Sequence, residues 1–369
     1  MITFNNLYFS LVLLNCVVLL ELVGSTALVA GGEVRQLSND LFNNLAEEEG
    51  YIGSNMVTSA GLDKLHTCQV FGDSHITTFD GKRYSVWAGS DCTYILALDC
   101  YYASWFIYVT FVKCGEASKS VSSVVLFKQD TVLILTRGWQ VNTEKGEIRM
   151  REGRPRHLGS GVFVQLFPEH LRVNFRSYRE EKITLLWDGW TTVTVQTQAE
   201  AICGLCGNNN GNNADEFFNL WFHGKDQMDL PSAFVSSWNV DETNTCNAVE
   251  QIKSKNCSDP EVDREAKRRC DYLLGNPVFT TQCLGADLEY YLEQCYVDLC
   301  YRMDLDKEYP TECQIASSLA ELCAARGGVF RDWKRRLGCP ESCSVRQAVF
   351  STGCSLSHYP WRERCPARN

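Results

Sequence analysis

Histidine is scarce in this chain: six residues are scattered over 369 positions, and no C-x-x-C…H-x-H array accompanies them. That excludes the zinc modules built on such spacing. No G-x-S-x-G, no HExxH and no phosphate-cradling glycine loop occurs either, so the common hydrolase, metalloprotease and nucleotide-binding signatures are missing. Basic charge is short: 35 Lys and Arg against 45 Asp and Glu give a net charge of −10, the wrong sign for a nucleic-acid partner. One apolar run exists, Leu7–Leu20, interrupted only by Ser10 and Asn15, and no second span follows. Glu21 stops it short of the roughly 20 residues a membrane crossing needs. With small residues at Gly24, Ser25 and Ala27, the run reads as a signal peptide over residues 1–25, although Lys and Arg are absent from its start.

Cysteine, by contrast, is abundant. Nineteen are too many for a reducing cytosol unless metals hold them, so disulfides in a secreted protein are expected. Removing Cys16 with the signal leaves 18, an even number that allows full pairing. The sequon Asn256-Cys257-Ser258 is a candidate glycosylation site, weakened by the half-cystine inside it.

Residue texture divides the rest. Residues 26–67 contain no Cys, carry Glu47–Glu49, and read as an acidic lead-in with Leu37, Leu41 and Leu45 at helical spacing. From Cys68 to Cys246 short β-branched and aromatic runs alternate with turn residues: 104–112, 124–127, 132–136, 162–167, 171–175, 183–187 and 191–196. Strands at this density imply a mainly β sandwich or barrel, with the Trp and Phe residues packed as core. Beyond Cys246 half-cystines recur every few residues, and 261–274, 288–301 and 315–326 read as short helices. A small disulfide-rich α-helical module gains from staples what its core cannot supply.

The stretch Cys203-Gly-Leu-Cys206-Gly-Asn208-Asn209-Asn210-Gly211-Asn212, followed by Asp215 and Glu216, joins two half-cystines to a run of oxygen-bearing side chains. Ca2+ takes six to eight oxygen ligands, and glycines permit the bend that brings alternate residues onto one ion. The same composition also suits a plain polar turn, and spacing alone leaves both readings open. The C-x-x-C of Cys203 and Cys206 lacks the βαβ setting of a redox pair. Asp73, Ser74 and His75 sit upstream; neighbours in an extended segment point to opposite faces, which argues against a nucleophile and its base. The basic runs 267–269 and 334–336 read as solvated helix faces.

Cys68-Gln-Val-Phe-Gly72-Asp73-Ser74-His75, continuing to Phe79-Asp80-Gly81, stands upstream of the Cys-Gly-Leu-Cys loop. In that order the two motifs resemble the opening and closing signatures of a von Willebrand factor type D domain, over residues 68–246. The resemblance implies Ca2+ ligands at Asp80, Asn208, Asn210, the carbonyl of Asn212, Asp215 and Glu216. Asn210 and Glu216 both stand where Asp is common in the family; the Asn costs one negative charge and predicts weaker cation binding. Residues 247–339 resemble the eight-cysteine module that follows such domains. Cys339-Pro-Glu-Ser-Cys343 looks like the start of a trypsin-inhibitor-like module, truncated over 340–369. Implied bridges are Cys68–Cys206, Cys100–Cys203, Cys92–Cys246, Cys257–Cys300, Cys270–Cys295, Cys283–Cys323 and Cys313–Cys339. Cys114, Cys343, Cys354 and Cys365 are left over, candidates for bonds between chains.

The function implied is that of a secreted, calcium-stabilised assembly or adhesion protein of extracellular matrix, mucus or clotting type, not an enzyme. Its partners would be extracellular proteins, including itself, with no nucleic acid and no membrane insertion. The alternative is a luciferase-like oxidoreductase, because secreted ostracod luciferases also contain type D domains.

Overall fold

Apolar–polar alternation becomes strand wherever one face is covered: Thr131–Thr136, Val162–Leu166 and Leu171–Arg176 each bury every second residue. The computed structural model describes residues 65–87, 91–113, 119–218, 228–241, 246–250, 257–302 and 310–339. The signal peptide, nearly all of the lead-in, Asn256, Cys114, Cys343, Cys354 and Cys365 lie outside the described residues.

The strands are β1 (His66–Phe71), β2 (His75–Thr77), β3 (Arg83–Trp87), β4 (Cys92–Asp99), β5 (Trp105–Lys113), β6 (Lys119–Lys128), β7 (Thr131–Thr136) and β8 (Gln140–Thr143). They continue with β9 (Gly146–Glu147), β10 (Arg156–Gly159), β11 (Val162–Leu166), β12 (Leu171–Arg176), β13 (Lys182–Trp187), β14 (Val193–Thr197), β15 (Ile202–Cys203) and β16 (Val249–Glu250). One antiparallel sheet runs β10-β11-β12-β13-β14-β1-β2-β3-β16, the other β15-β4-β5-β6-β7-β8-β9. Trp105 of β5 meets Phe175 of β12 edge-on at 5.6 Å, and Trp187 Nε1 of β13 donates to the Thr136 carbonyl at 3.2 Å. Both contacts cross from sheet to sheet. Trp105, Trp187 and Trp238 are fully buried, so these aromatics are core, as expected.

Strands β1 and β4 lack alternation because each is covered twice. β4 is buried at seven of eight positions. The chain after helix α1 (Pro231–Ser237) lies along it, with Ile95 N donating to the Trp238 carbonyl and Val240 N to that of Thr93. β1 carries helices on its outer side.

Those helices are α2 (Pro260–Leu274), α3 (Pro277–Thr280), α4 (Gly285–Arg302), α5 (Thr311–Ala325) and α6 (Trp333–Leu337). Helix α2 starts where its sequence says it should: Asp259 caps the Glu261 N–H, Pro260 takes the first turn, and Glu261 and Asp263 suit the positive end of the helix dipole. Its buried Ala266, Cys270, Leu273 and Leu274 form one stripe at helical spacing. The basic runs are held by carboxylates: Lys267 by Asp263, Arg268 by Glu265, Arg269 by Glu312, and Lys334 by Glu169 of the sandwich.

The seam between sandwich and helices is polar as well as apolar. Phe71 of β1 stacks on Tyr291 of α4 at 4.5 Å. Gln69 donates to the Ser318 carbonyl at 3.1 Å and accepts from the Tyr291 hydroxyl. Arg83 reaches Asp287, which also pairs with Arg326, and lies 4.6 Å over the Tyr290 ring. Buried Asp298 of α4 accepts from the Asp73 backbone N–H at 3.1 Å and shares a 2.9 Å hydrogen bond with His75 Nε2. Here the expectation of an extended segment needs correction. Gly72 and Ser74 have φ of +53° and +64°, making a tight turn between β1 and β2 that presents His75 to Asp298. His75 Nδ1 meets Ser85 Oγ at 2.7 Å rather than its neighbour Ser74, so the histidine joins two modules.

Candidate metal centre and disulfide frame

The Cys-Gly-Leu-Cys loop leaves β15 and is drawn onto β4 by Leu205 N and Cys206 N, which donate to the carbonyls of Ile95 and Leu96 at 3.0 Å each. Such close approach requires glycine: at Gly204, with φ +130°, a Cβ would stand 2.5 Å from the Leu96 carbonyl oxygen. Gly207 is equally constrained. Its φ is +79°, and a Cβ there would overlap Glu216 Oε2 at 1.7 Å. Phe79 N donates to the Cys206 carbonyl at 3.1 Å, which brings the Asp80 turn against the loop.

Six predicted oxygen-bearing residues therefore meet in one region. The Asp80 carboxylate accepts from Asn210 N at 2.9 Å and Gly211 N at 3.0 Å. Asn208, Asn210 and Asn212 each accept, through Oδ1, from the N–H two residues on, at 2.8–3.2 Å, so consecutive Asx turns curl the chain. Asp215 accepts from the side-chain amides of Asn208 at 3.1 Å and Asn210 at 2.9 Å. Burial acts to raise the Asp215 pKa, but hydrogen bonds from Asn210, Asn208 and Asn212 hold it below the usual carboxylate range. Glu216 is buried and accepts from Asn208 N at 2.9 Å. Its pKa is pushed up to about 7, first by burial and further by the Asp80 charge, against hydrogen bonds that favour the carboxylate.

The donor set is wholly oxygen, as a hard cation requires, and two carboxylates, Asp80 and Glu216, stand together with one of them buried. Among the described residues, the metal-capable triplets that converge are Cys92–Asp241–Cys246 and Cys257–Asp263–Cys300. Their sulfurs are committed to disulfides, so neither offers thiolates. Asp80, Asp215 and Glu216 do not converge as another triplet, because Asp215 is turned to the asparagine amides.

One participant was missed from sequence. Asn209 lies inside the asparagine run, yet it points inward, is 2% exposed with φ +54°, and bonds His66 of β1 and the Ala199 carbonyl. It anchors the loop. A run of three asparagines gives no sign of which faces in.

Cysteine pairs close around this region. Cys68–Cys206 and Cys100–Cys203 fasten the C-x-x-C to β1 and to the turn just after β4, so these two cysteines bond elsewhere rather than to each other. Cys92–Cys246 ties β4 to the end of the sandwich. In the helical module the bridges are Cys257–Cys300, Cys270–Cys295, Cys283–Cys323 and Cys313–Cys339.

A two-sheet antiparallel domain with a half-cystine loop, followed by a disulfide-stapled helical module, defines the class. Residues 68–220 match the von Willebrand factor type D domain, and residues 269–340 match the C8 domain. The chain carries a von Willebrand factor type D domain followed by a C8 domain. It is 26% identical to mucin-6 of Gallus gallus over 296 residues, 78% of this chain and 23% of the relative. It is 26% identical to von Willebrand factor of Bos taurus over 301 residues, 79% of this chain and 30% of that one. Zonadhesin of Homo sapiens is 28% identical over 293 residues, 75% of this chain and 10% of the relative. The chain thus spans less than a third of the length of these proteins. The C8 match ends at 340, and the inhibitor-like tail over 340–369 lies outside the described residues. None of the described helices is long and apolar enough to cross a membrane.

Proposed function

We propose that this chain is a secreted, calcium-stabilised assembly or adhesion block that acts through protein–protein contacts and not by catalysis. The observation that carries this reading is the joined two-module unit: seven disulfides among the described residues and a buried seam of Gln69, His75, Asp298 and Tyr291. So many bridges belong to an oxidising compartment, and a stapled unit suits repeated mechanical or proteolytic challenge outside the cell. Similarity to mucins, von Willebrand factor and zonadhesin supports the assembly or adhesion role and lends nothing to the luciferase alternative.

Asp80, Asn208, Asn210, the Asn212 carbonyl, Asp215 and Glu216 would hold Ca2+. When bound, the ion supplies positive charge to the Asp80–Glu216 pair. The chain's own part is to present oxygen donors from two distant segments and to fix them by the Gly207 bend and the Cys68–Cys206 bond. Metal binding to the native state raises stability by mass action, so chelation should lower the melting temperature of the wild type more than that of Asp80→Ala. Equal shifts in both would remove Asp80 from the site. Separately, the leftover cysteines support covalent pairing of chains, with Cys354 the foremost candidate. Non-reducing gels of secreted protein should reveal a reducible dimer that declines in Cys354→Ser, and a monomer alone would end the covalent-assembly reading.

A further inference from the structure

A cleft of about 450 Å³ opens where the sandwich meets α5 and α6. That volume is within the roughly 300–1,000 Å³ range of small-molecule sites, and module interfaces are where such sites commonly occur. Trp139 and Leu186 of the sandwich form one apolar wall, and Phe330 and Trp333 of the helical module form the other. Polar side chains interrupt this lining, and two of them bear on what the cleft holds. Glu321 Oε1 from α5 and His170 Nε2 from the turn before β12 are buried and make no hydrogen bond among the described residues. Buried polar atoms in a folded protein ordinarily find partners, and two orphans lining one cleft point to something that supplies them.

We infer that this cleft binds an uncharged aromatic small molecule, its ring between the two tryptophans and its polar edge against Glu321 and His170. Charge sets the ligand class. Lys334 is paired with Glu169, and Arg172 stands on the walls with Asp188, whose carboxylate accepts from the Trp190, Thr191 and Thr192 N–H groups against the upward push of burial on its pKa. The remaining two groups are neutral at neutral pH: burial, then Asp188, pushes Glu321 up to about 8, while burial, then Arg172 and Lys334, pushes His170 down to about 4. A charged ligand would bring a charge with no counterpart into a partly dry site. As the acid, Glu321 adds an O–H donor, and neutral His170 adds either a donor or an acceptor.

The cleft could instead hold only water, and the experiment separates the two. The full chain is titrated with N-phenyl-1-naphthylamine, an uncharged dye that brightens in apolar surroundings. Saturable binding of one dye per chain is expected, with the sulfonated analogue at least about tenfold weaker. Ala320→Leu and Ser317→Leu both project bulk from α5 into the cleft. Whichever variant keeps the native circular dichroism should weaken the dye by about tenfold or more. Non-saturable binding, equal affinity for the sulfonated dye, or unchanged binding in a folded cleft-filling variant would overturn the proposal and leave a water-filled gap.

Discussion

The sandwich and the helical module solve one problem by different means. Among the described residues of the sandwich, three disulfides serve a domain with fully buried Trp105, Trp187, Phe111 and Ile76 between and around its sheets. Four disulfides serve the helices between residues 257 and 339. Bridges in the sandwich close long loops, with separations of 103 to 154 residues, against 25 to 43 in the module. By chain entropy each sandwich bridge is worth more, yet dependence runs the other way, because few helices cannot bury enough apolar surface alone. Stability here follows core size first and staple strength second. The seam lets the smaller module borrow the larger one's core, with Phe71 on Tyr291 as the shared aromatic pair.

Removing Asp298 is the sharpest way to break that sharing. Asp298→Ala orphans the buried Asp73 N–H and the His75 ring nitrogen, at about 1–3 kcal/mol each. Calorimetry should turn one transition into two, with the helices melting first; a single unshifted transition would mean the modules do not depend on the seam. Next in size is the double change Cys270→Ser with Cys295→Ser, expected to cost roughly 2–4 kcal/mol. Limited proteolysis of that variant should cut within 257–302 while the sandwich stays intact, and first cuts in the sandwich would reverse the comparison. Asp259→Ala removes the α2 cap and should cost about 1 kcal/mol in urea unfolding, an effect no larger than noise if the bridges alone hold the helix.

The finest test is pH, at the cleft both modules build. Glu321 is raised in the folded chain, so between about 4.5 and about 8 the native state holds a proton the unfolded state has lost. Its contribution to stability therefore falls as pH rises through that window. His170 is lowered to about 4, so between about 4 and 6.5 the unfolded state holds the extra proton and stability rises with pH. The two oppose each other below 6.5; above it Glu321 acts without His170, in the same direction as Glu216, whose share is common to wild type and variant. Comparing melting temperatures of wild type and Glu321→Gln from pH 6.5 to 8 should show the wild type losing ground to the variant. Parallel curves would place Glu321 in solvent.

Much of this was written in the chain. Strands covered on one face, such as β7, β11 and β12, announce themselves by alternation, and α2 does so by its cap and its stripe. The half-cystine loop marks itself by Gly207 and the asparagine run. Strands β1 and β4 were not legible, since burial on both faces erases period two and leaves runs that resemble any apolar segment, and β2, at three residues, is too short to show a period. The inward turn of Asn209, the pairing of His75 with Asp298 223 residues away, and the cleft with Glu321 and His170 were decided only by the tertiary structure. Local pattern encodes which residues seek burial and where the chain bends. Which buried polar atoms meet depends on how two finished modules dock, and no short stretch of sequence holds that information.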